Sequence, residues 1–338
     1  MRNKWNQKIA NNYISSFQKK NIKKDLSLRI YTTHLLGKEP DLVLHGGGNT
    51  SLKSFNRNIL GKEVETIYVK GSGWNMADLS EEGMPGLELE PLKKTLRLKK
   101  LNDEKMVNYL RKNLINNKSP NPSVETLLHA YLPHKYVDHT HSVAILSIAN
   151  QVNSIEICKK IFKNKIGVVP YIMPGFELAV KAYMEFNKNK DIEGLILLHH
   201  GIFTFGNTAK ESYERMIKYV TIAEKFINKH KRKNIRHRKF NFSYDSNDIS
   251  LKIRKSVYDL SERKWILNFC NLKKITEFTS SKELLNLINK GPVTPDHVIR
   301  IKPNLLILKN NNLIDKNIKK FAFQYSKYFS KYKKFVKG

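Results

Sequence analysis

Cysteine is almost missing. Cys158 and Cys270 are the only two in 338 residues, far apart and in no Cys-x-x-Cys pair. That excludes a disulfide framework and fits a reducing cytoplasm. Long apolar runs are missing too. Nothing approaches the roughly 20 residues of a membrane-spanning helix, and the opening "MRNKWNQKIANNYISSFQKK" lacks the apolar core of a secretory signal. A soluble cytoplasmic protein is the expectation. Acidic residues are scarce, 30 against 61 lysines and arginines, for a net charge of +31. Such an excess would suit a nucleic acid or an anionic substrate. Here it is mostly lysine, spread among Asn and Ile along the whole chain, which points to compositional bias and away from a specific nucleic-acid surface. Nucleotide fingerprints are absent as well. In "HGGGNTS" the sixth position counted from Gly46 is Ser51 rather than Gly, and no Gly-Lys-Ser/Thr follows. Oxidation of an aldehyde with NAD is therefore not expected of this chain.

What remains is ample for a packed core, with 40% hydrophobic and 10% aromatic residues. Residues 1–37 read as helical, and "EVETIYVKGSGW" reads as a strand ending in a Gly-Ser turn. "SPNPSVETLLHAYLP" starts a helix, with Asn121 or Ser123 as cap and Pro122 in its first turn. "KYVDHTHSVAILSIAN" is a strand running into a helix, "EGLILLHHGIFTFG" a buried strand pair or strand and turn, and "TAKESYERMIKYVTIAEKFINKH" an amphipathic helix. The basic run at 229–239 reads as a solvated helix end and linker. It divides a domain at 1–234 from an extension at 235–338 packed on it. The extension is expected to be α/β, with "KWILNFCN" as a strand. Alternating strands and helices place the whole in an α/β or α+β class.

The chemistry gathers around histidine. His139 and His141 are two residues apart in a strand, so both rings face one way. Two imidazoles cannot complete a zinc site, which takes at least three protein ligands. Of His199 and His200, in an apolar run, only one can join them, and His45, His129, His134 and His297 compete for the place. His129, on an apolar helix, reads as a satisfied core residue. Taken alone, Glu125 is an acidic residue favoured at a helix N-terminus. Taken alone, "HGGGNTS" and "KGSGW" are tight turns whose N–H groups could face a phosphate.

Taken together and in order, "GGGNTS", "KGSGW", "PSVETLLHAYL", "DHTHS", "VPYIMPG" and "LHHGIFTFG" resemble the class II aldolase/adducin family, over about residues 25–330. "LVLHGGGNTS", "ESYERMI" and "GPVTPDHVIR" are most similar to the aldolase half of bifunctional rhamnulose-1-phosphate aldolase/lactaldehyde dehydrogenase proteins. The resemblance implies a central, largely antiparallel sheet flanked by helices, and a homo-oligomer, commonly a tetramer. It implies zinc or another divalent metal on His139, His141 and His200, with His199 as a neighbour. Glu125 would be the acid/base and can ligate the resting metal. Gly48, Asn49, Ser72, Gly73 and Ser123 would bind the phosphate, and Tyr171 would donate a proton across a subunit interface. One departure stands out: Val124 replaces a second serine found in several relatives, so one phosphate donor is missing or replaced.

The implied reaction is aldol cleavage of a deoxy-ketose 1-phosphate, rhamnulose-1-phosphate or similar, to dihydroxyacetone phosphate and lactaldehyde. Breaking a C–C bond beside a ketone leaves a carbanion, and zinc can stabilise it as a Lewis acid without redox chemistry. An epimerase or dehydratase of a sugar phosphate could use the same ligands. A non-catalytic, adducin-like scaffold would have no need of three histidines and Glu125.

Overall fold

The computed structural model describes residues 1–57, 60–231, 246–270, 272–308 and 311–333. Seven strands form one sheet. They are β1 (Asn49–Arg57), β2 (Glu63–Val69), β3 (Gly86–Glu88), β4 (Tyr136–Thr140), β5 (Ile166–Val169), β6 (Gly194–Leu197) and β7 (Gly201–Gly206). Their order is β3-β2-β1-β4-β7-β6-β5. Only β5 with β6 is parallel; the other pairings are antiparallel. The expected sheet, largely antiparallel and flanked by helices, is the one found.

The chain divides into two compact units: Met1–Lys231 with Val293–Ile301, and Arg232–Pro292 with Lys302–Gly338. The expected boundary at 234/235 and the basic run from residue 232 onward lie outside the described residues. The second unit corrects the expectation of an α/β extension. Its described elements are helices, among them Ser246–Ser261, Lys273–Ser280 and Ile314–Lys333. "KWILNFCN" forms no strand over its described residues. Trp265, Ile266 and Phe269 are exposed, and an apolar run without a neighbouring strand edge has no ladder to join.

In the first unit both faces of the sheet are covered, which is why all five residues of β4 are buried. Val137 points into a core with Phe203, Phe205 and the helix Phe176–Lys188. The opposite face packs Ile196 and Ile202 against the helix Ala209–His230. Register then assigns the chemistry. Asn49 pairs with His139, and His139 with Phe203, so these three share the face of Val137. Asp138 takes the other face. There it meets the fully buried guanidinium of Arg29, from the helix Lys24–Gly37, and accepts a hydrogen bond from Ser212.

Burial raises the Asp138 pKa, and Arg29 opposes the rise. Removing one partner of such a pair leaves an uncompensated charge in the core. Arg29→Ala should cost about 3–5 kcal/mol, read as a lower urea midpoint, and adding Asp138→Asn should restore part of the loss.

Candidate metal centre and active site

His139 is the next-to-last residue of β4, and His141 directly follows the strand. His200 ends the turn between β6 and β7, where its N–H donates to Leu197 O at 3.1 Å. His199, the residue before it, has φ +58° and is exposed, whereas His200 is 5% exposed. The tight turn therefore sends the two neighbours opposite ways. His139, His141 and His200 are buried, and their ligating atoms lie within 4.8 Å of one another. No other such cluster occurs among the described residues.

Hydrogen bonds behind the rings fix the tautomers. His139 Nδ1 lies 3.1 Å from Ile202 O. A carbonyl only accepts, so Nδ1 carries the proton. His141 Nδ1 lies 2.7 Å from Asp296 Oδ1, a carboxylate that also only accepts. The Nε2 atoms of both rings are then lone pairs, and they face each other at 3.1 Å. Glu125 adds more acceptors, with Oε2 3.4 Å from His139 Nε2 and Oε1 3.3 Å from His200 Nε2. Burial and the neighbouring rings push the pKa of His139 well below the ordinary value. A divalent cation between the rings would accept both lone pairs. Zinc–nitrogen bonds of about 2.0–2.1 Å set ligand nitrogens about 3.3 Å apart in a tetrahedron. The donor set fits zinc or a similar divalent ion.

Glu125 is held from behind. The helix begins at Thr126 with Glu125 as its N-cap, later than the expected cap at Asn121 or Ser123. Instead, Ser123 Oγ accepts from Glu125 N–H at 3.2 Å. Asn49 Nδ2 donates to Glu125 Oε2 at 2.7 Å and to Ser123 Oγ at 3.0 Å. Both amide hydrogens are thus committed to Glu125 and Ser123, and Asn49 acts here by positioning the carboxylate. His129 donates from Nε2 to Asn49 Oδ1 at 2.5 Å and accepts from Ser51 at Nδ1. It is the satisfied core residue that was expected, and it also braces the site.

The glycine loops converge. A Cβ on Gly46 would stand 2.8 Å from Gly73 O, and Gly71 bridges to Pro122. Ser72 N–H donates to Asn121 O at 2.8 Å. Gly48, with φ +60°, leaves no room for a side chain, since a Cβ would meet His139 O at 2.7 Å. Ser72 and Gly73 are exposed at this junction. Lys70, unassigned by sequence reasoning, ties it together. Its Nζ donates to the carbonyls of Gly46, Gly71 and Trp74 at 3.0, 3.3 and 2.6 Å, and burial lowers its pKa to about 8. Tyr171 is not drawn into the cluster. It is half-exposed, with its ring 6.1 Å from that of His199.

Two histidines outside the ligand set, His129 buried and His134 partly buried, give a pH prediction. Burial pushes the pKa of His129 well below 6.5 and that of His134 down to about 4. Below pH 6.5 the unfolded chain takes up protons that the folded chain refuses. Stability present above pH 6.5 should therefore be lost as pH falls toward 4, each fully refused proton adding about 1.4 kcal/mol per pH unit to the slope. Urea unfolding of the metal-free protein at stepped pH measures it, and His134→Phe should flatten the slope.

Comparison with known proteins agrees with this geometry. The profile of the Class II Aldolase and Adducin N-terminal domain matches residues 29–227, and that of the aldolase class II second domain matches residues 245–337. An "Uncharacterized oxidoreductase YuxG" of Bacillus subtilis (strain 168) is 31% identical over 318 residues, which is 89% of this chain. The chain spans 46% of the length of that relative. The structure of an N-terminal class II aldolase domain of a conserved protein from Thermoplasma acidophilum is 42% identical. It superposes with a TM-score of 0.58 over 61% of this chain and 95% of that one. With the profile spanning more than half of the chain and the histidines and glycine loops gathered on one sheet, this chain belongs to the class II aldolase/adducin family, whose aldolases are metal-dependent.

Proposed function

We propose that the chain cleaves a deoxy-ketose 1-phosphate of the rhamnulose-1-phosphate kind to dihydroxyacetone phosphate and lactaldehyde, with zinc on His139, His141 and His200. One observation carries the reading: three buried imidazoles converge, and the carboxylate of Glu125 lies 3.4 Å from His139 Nε2 and 3.3 Å from His200 Nε2. A general acid/base thus stands beside a Lewis-acid site.

When bound, a divalent ion supplies Lewis acidity to the ketone side of the substrate. Glu125 takes the proton from the hydroxyl on the carbon that leaves as the aldehyde. The C3–C4 bond breaks, and its electron pair stays with the ketone fragment. Glu125 returns the proton to C3 of the ketone fragment, which completes dihydroxyacetone phosphate. The hydrogen bond from Asn49 keeps the carboxylate aimed during both transfers. Backbone N–H groups at Gly48 and Gly73, with the hydroxyls of Ser72 and Ser123, hold the phosphate and set the orientation. Tyr171, half-exposed, would serve the aldehyde end from a neighbouring subunit in a homo-oligomer, a tetramer by family resemblance.

The test is release of dihydroxyacetone phosphate from a panel of ketose 1-phosphates by zinc-loaded protein. Release from at least one 6-deoxy sugar is expected, with loss on chelation. An epimer or a dehydrated sugar as the sole product would move the same site to another reaction.

A further inference from the structure

Asp296 lies 252 residues beyond Leu44, within the stretch matched by the second-domain profile, yet it belongs to the compact unit that carries the histidines. It is 3% exposed. One carboxylate oxygen accepts from His141 Nδ1 at 2.7 Å, and the other accepts from Leu44 N–H at 2.9 Å. Thr294 caps the short helix Pro295–Val298 by accepting from His297 N–H. Asn150 Nδ2 donates to Val293 O at 3.1 Å, and Arg300 donates to His45 O. Four separate contacts thus seat the segment 293–301: two on the loop at 44–48, one on His141 and one on Asn150. Gly47 is part of the same fit, because a Cβ there would stand 1.7 Å from Asp296 Oδ1.

We infer that Asp296 is the positioning residue of the metal centre. It holds His141 in the tautomer and ring orientation that present Nε2 to the metal, and its charge raises the basicity of that nitrogen. A carboxylate behind a ligating imidazole does both. The three rings are not supported alike. His139 has only a carbonyl behind it, and the Nδ1 of His200 is buried without a hydrogen-bond partner. The ligand most strengthened by the protein is His141, and the group responsible comes from the far end of the chain. This inference rests on the proposed metal site.

The test is zinc affinity of the full chain by competition with a chromophoric chelator, together with the thermal midpoint of the metal-free protein. Asp296→Asn keeps the shape and removes the charge. It should weaken zinc binding by roughly 10–100-fold, the usual worth of such a partner, while the metal-free midpoint stays near that of the wild type. Gly47→Ala removes no ligand and no charge but displaces the carboxylate. It should weaken zinc to a similar degree and add little in the Asp296→Ala background. A role confined to anchoring the segment gives the opposite split: a lower metal-free midpoint and unchanged zinc affinity. Folded Asp296→Asn and Asp296→Ala proteins that bind zinc within about twofold of wild type overturn the inference. Wild-type protein that takes up no zinc at all overturns the metal site and this inference together.

Discussion

Glu125→Gln is expected to lower kcat by roughly 10²–10⁴-fold, the usual worth of a positioned proton-transfer group. The substitution keeps the size of the side chain and an oxygen to accept from Asn49, and removes the negative charge and basicity of the carboxylate beside His139 and His200. Metal content should drop little, because three histidines remain. Binding of a phosphate-bearing enediolate mimic should persist, since the glycine loops and Ser72 are untouched. If Glu125 were only a favourable charge at a helix N-terminus, the change would cost about 0.3–1 kcal/mol of stability and leave turnover near normal. A folded, metal-loaded and active Glu125→Gln protein would leave the mechanism without its base.

Loss of metal should be all but complete when a ligand is removed. Purified protein should hold about one divalent ion per chain, and His139→Ala, His141→Ala and His200→Ala should each bring that close to zero, since a three-ligand site tolerates no deletion. His199→Ala should keep the metal. Its ring is exposed and turned away by the left-handed residue at the β6–β7 turn. Elemental analysis of the four variants reads the result directly. Metal kept by His200→Ala and lost by His199→Ala would show that the third ligand is misassigned.

The legible parts of this protein were those with a local pattern. The two-residue spacing put His139 and His141 on one side, and the apolar runs around them marked the buried strands. The choice of His200 over His199 came from family resemblance; strand alternation alone left it open, and the deciding geometry is a four-residue turn. Glu125 was visible, but the reason for its aim was not. Asn49 pairs with β4 from 90 residues away in number, and only that register places its amide on the carboxylate. Asp296 shows the limit more sharply. In the sequence the stretch drew attention only for the resemblance of "GPVTPDHVIR" and for His297 as a competing ligand. Nothing within the segment says that it returns 155 residues to meet His141. Arg29 and Asp138 were missed for the same reason, because burial of a charge is decided by what packs over it. The apolar run "KWILNFCN" misled in the other direction, since composition supplies a strand's residues but not the edge it must pair with.

Exchange of hydrogen for deuterium on the hydroxymethyl carbon of dihydroxyacetone phosphate, followed by NMR in D₂O without aldehyde, tests the central claim most directly. It isolates the proton transfer assigned to Glu125 from the choice of sugar. The zinc-loaded protein should catalyse the exchange, the chelated protein and Glu125→Gln should not, and His199→Ala should. No exchange by the zinc-loaded wild type, or equal exchange by Glu125→Gln, would contradict the account.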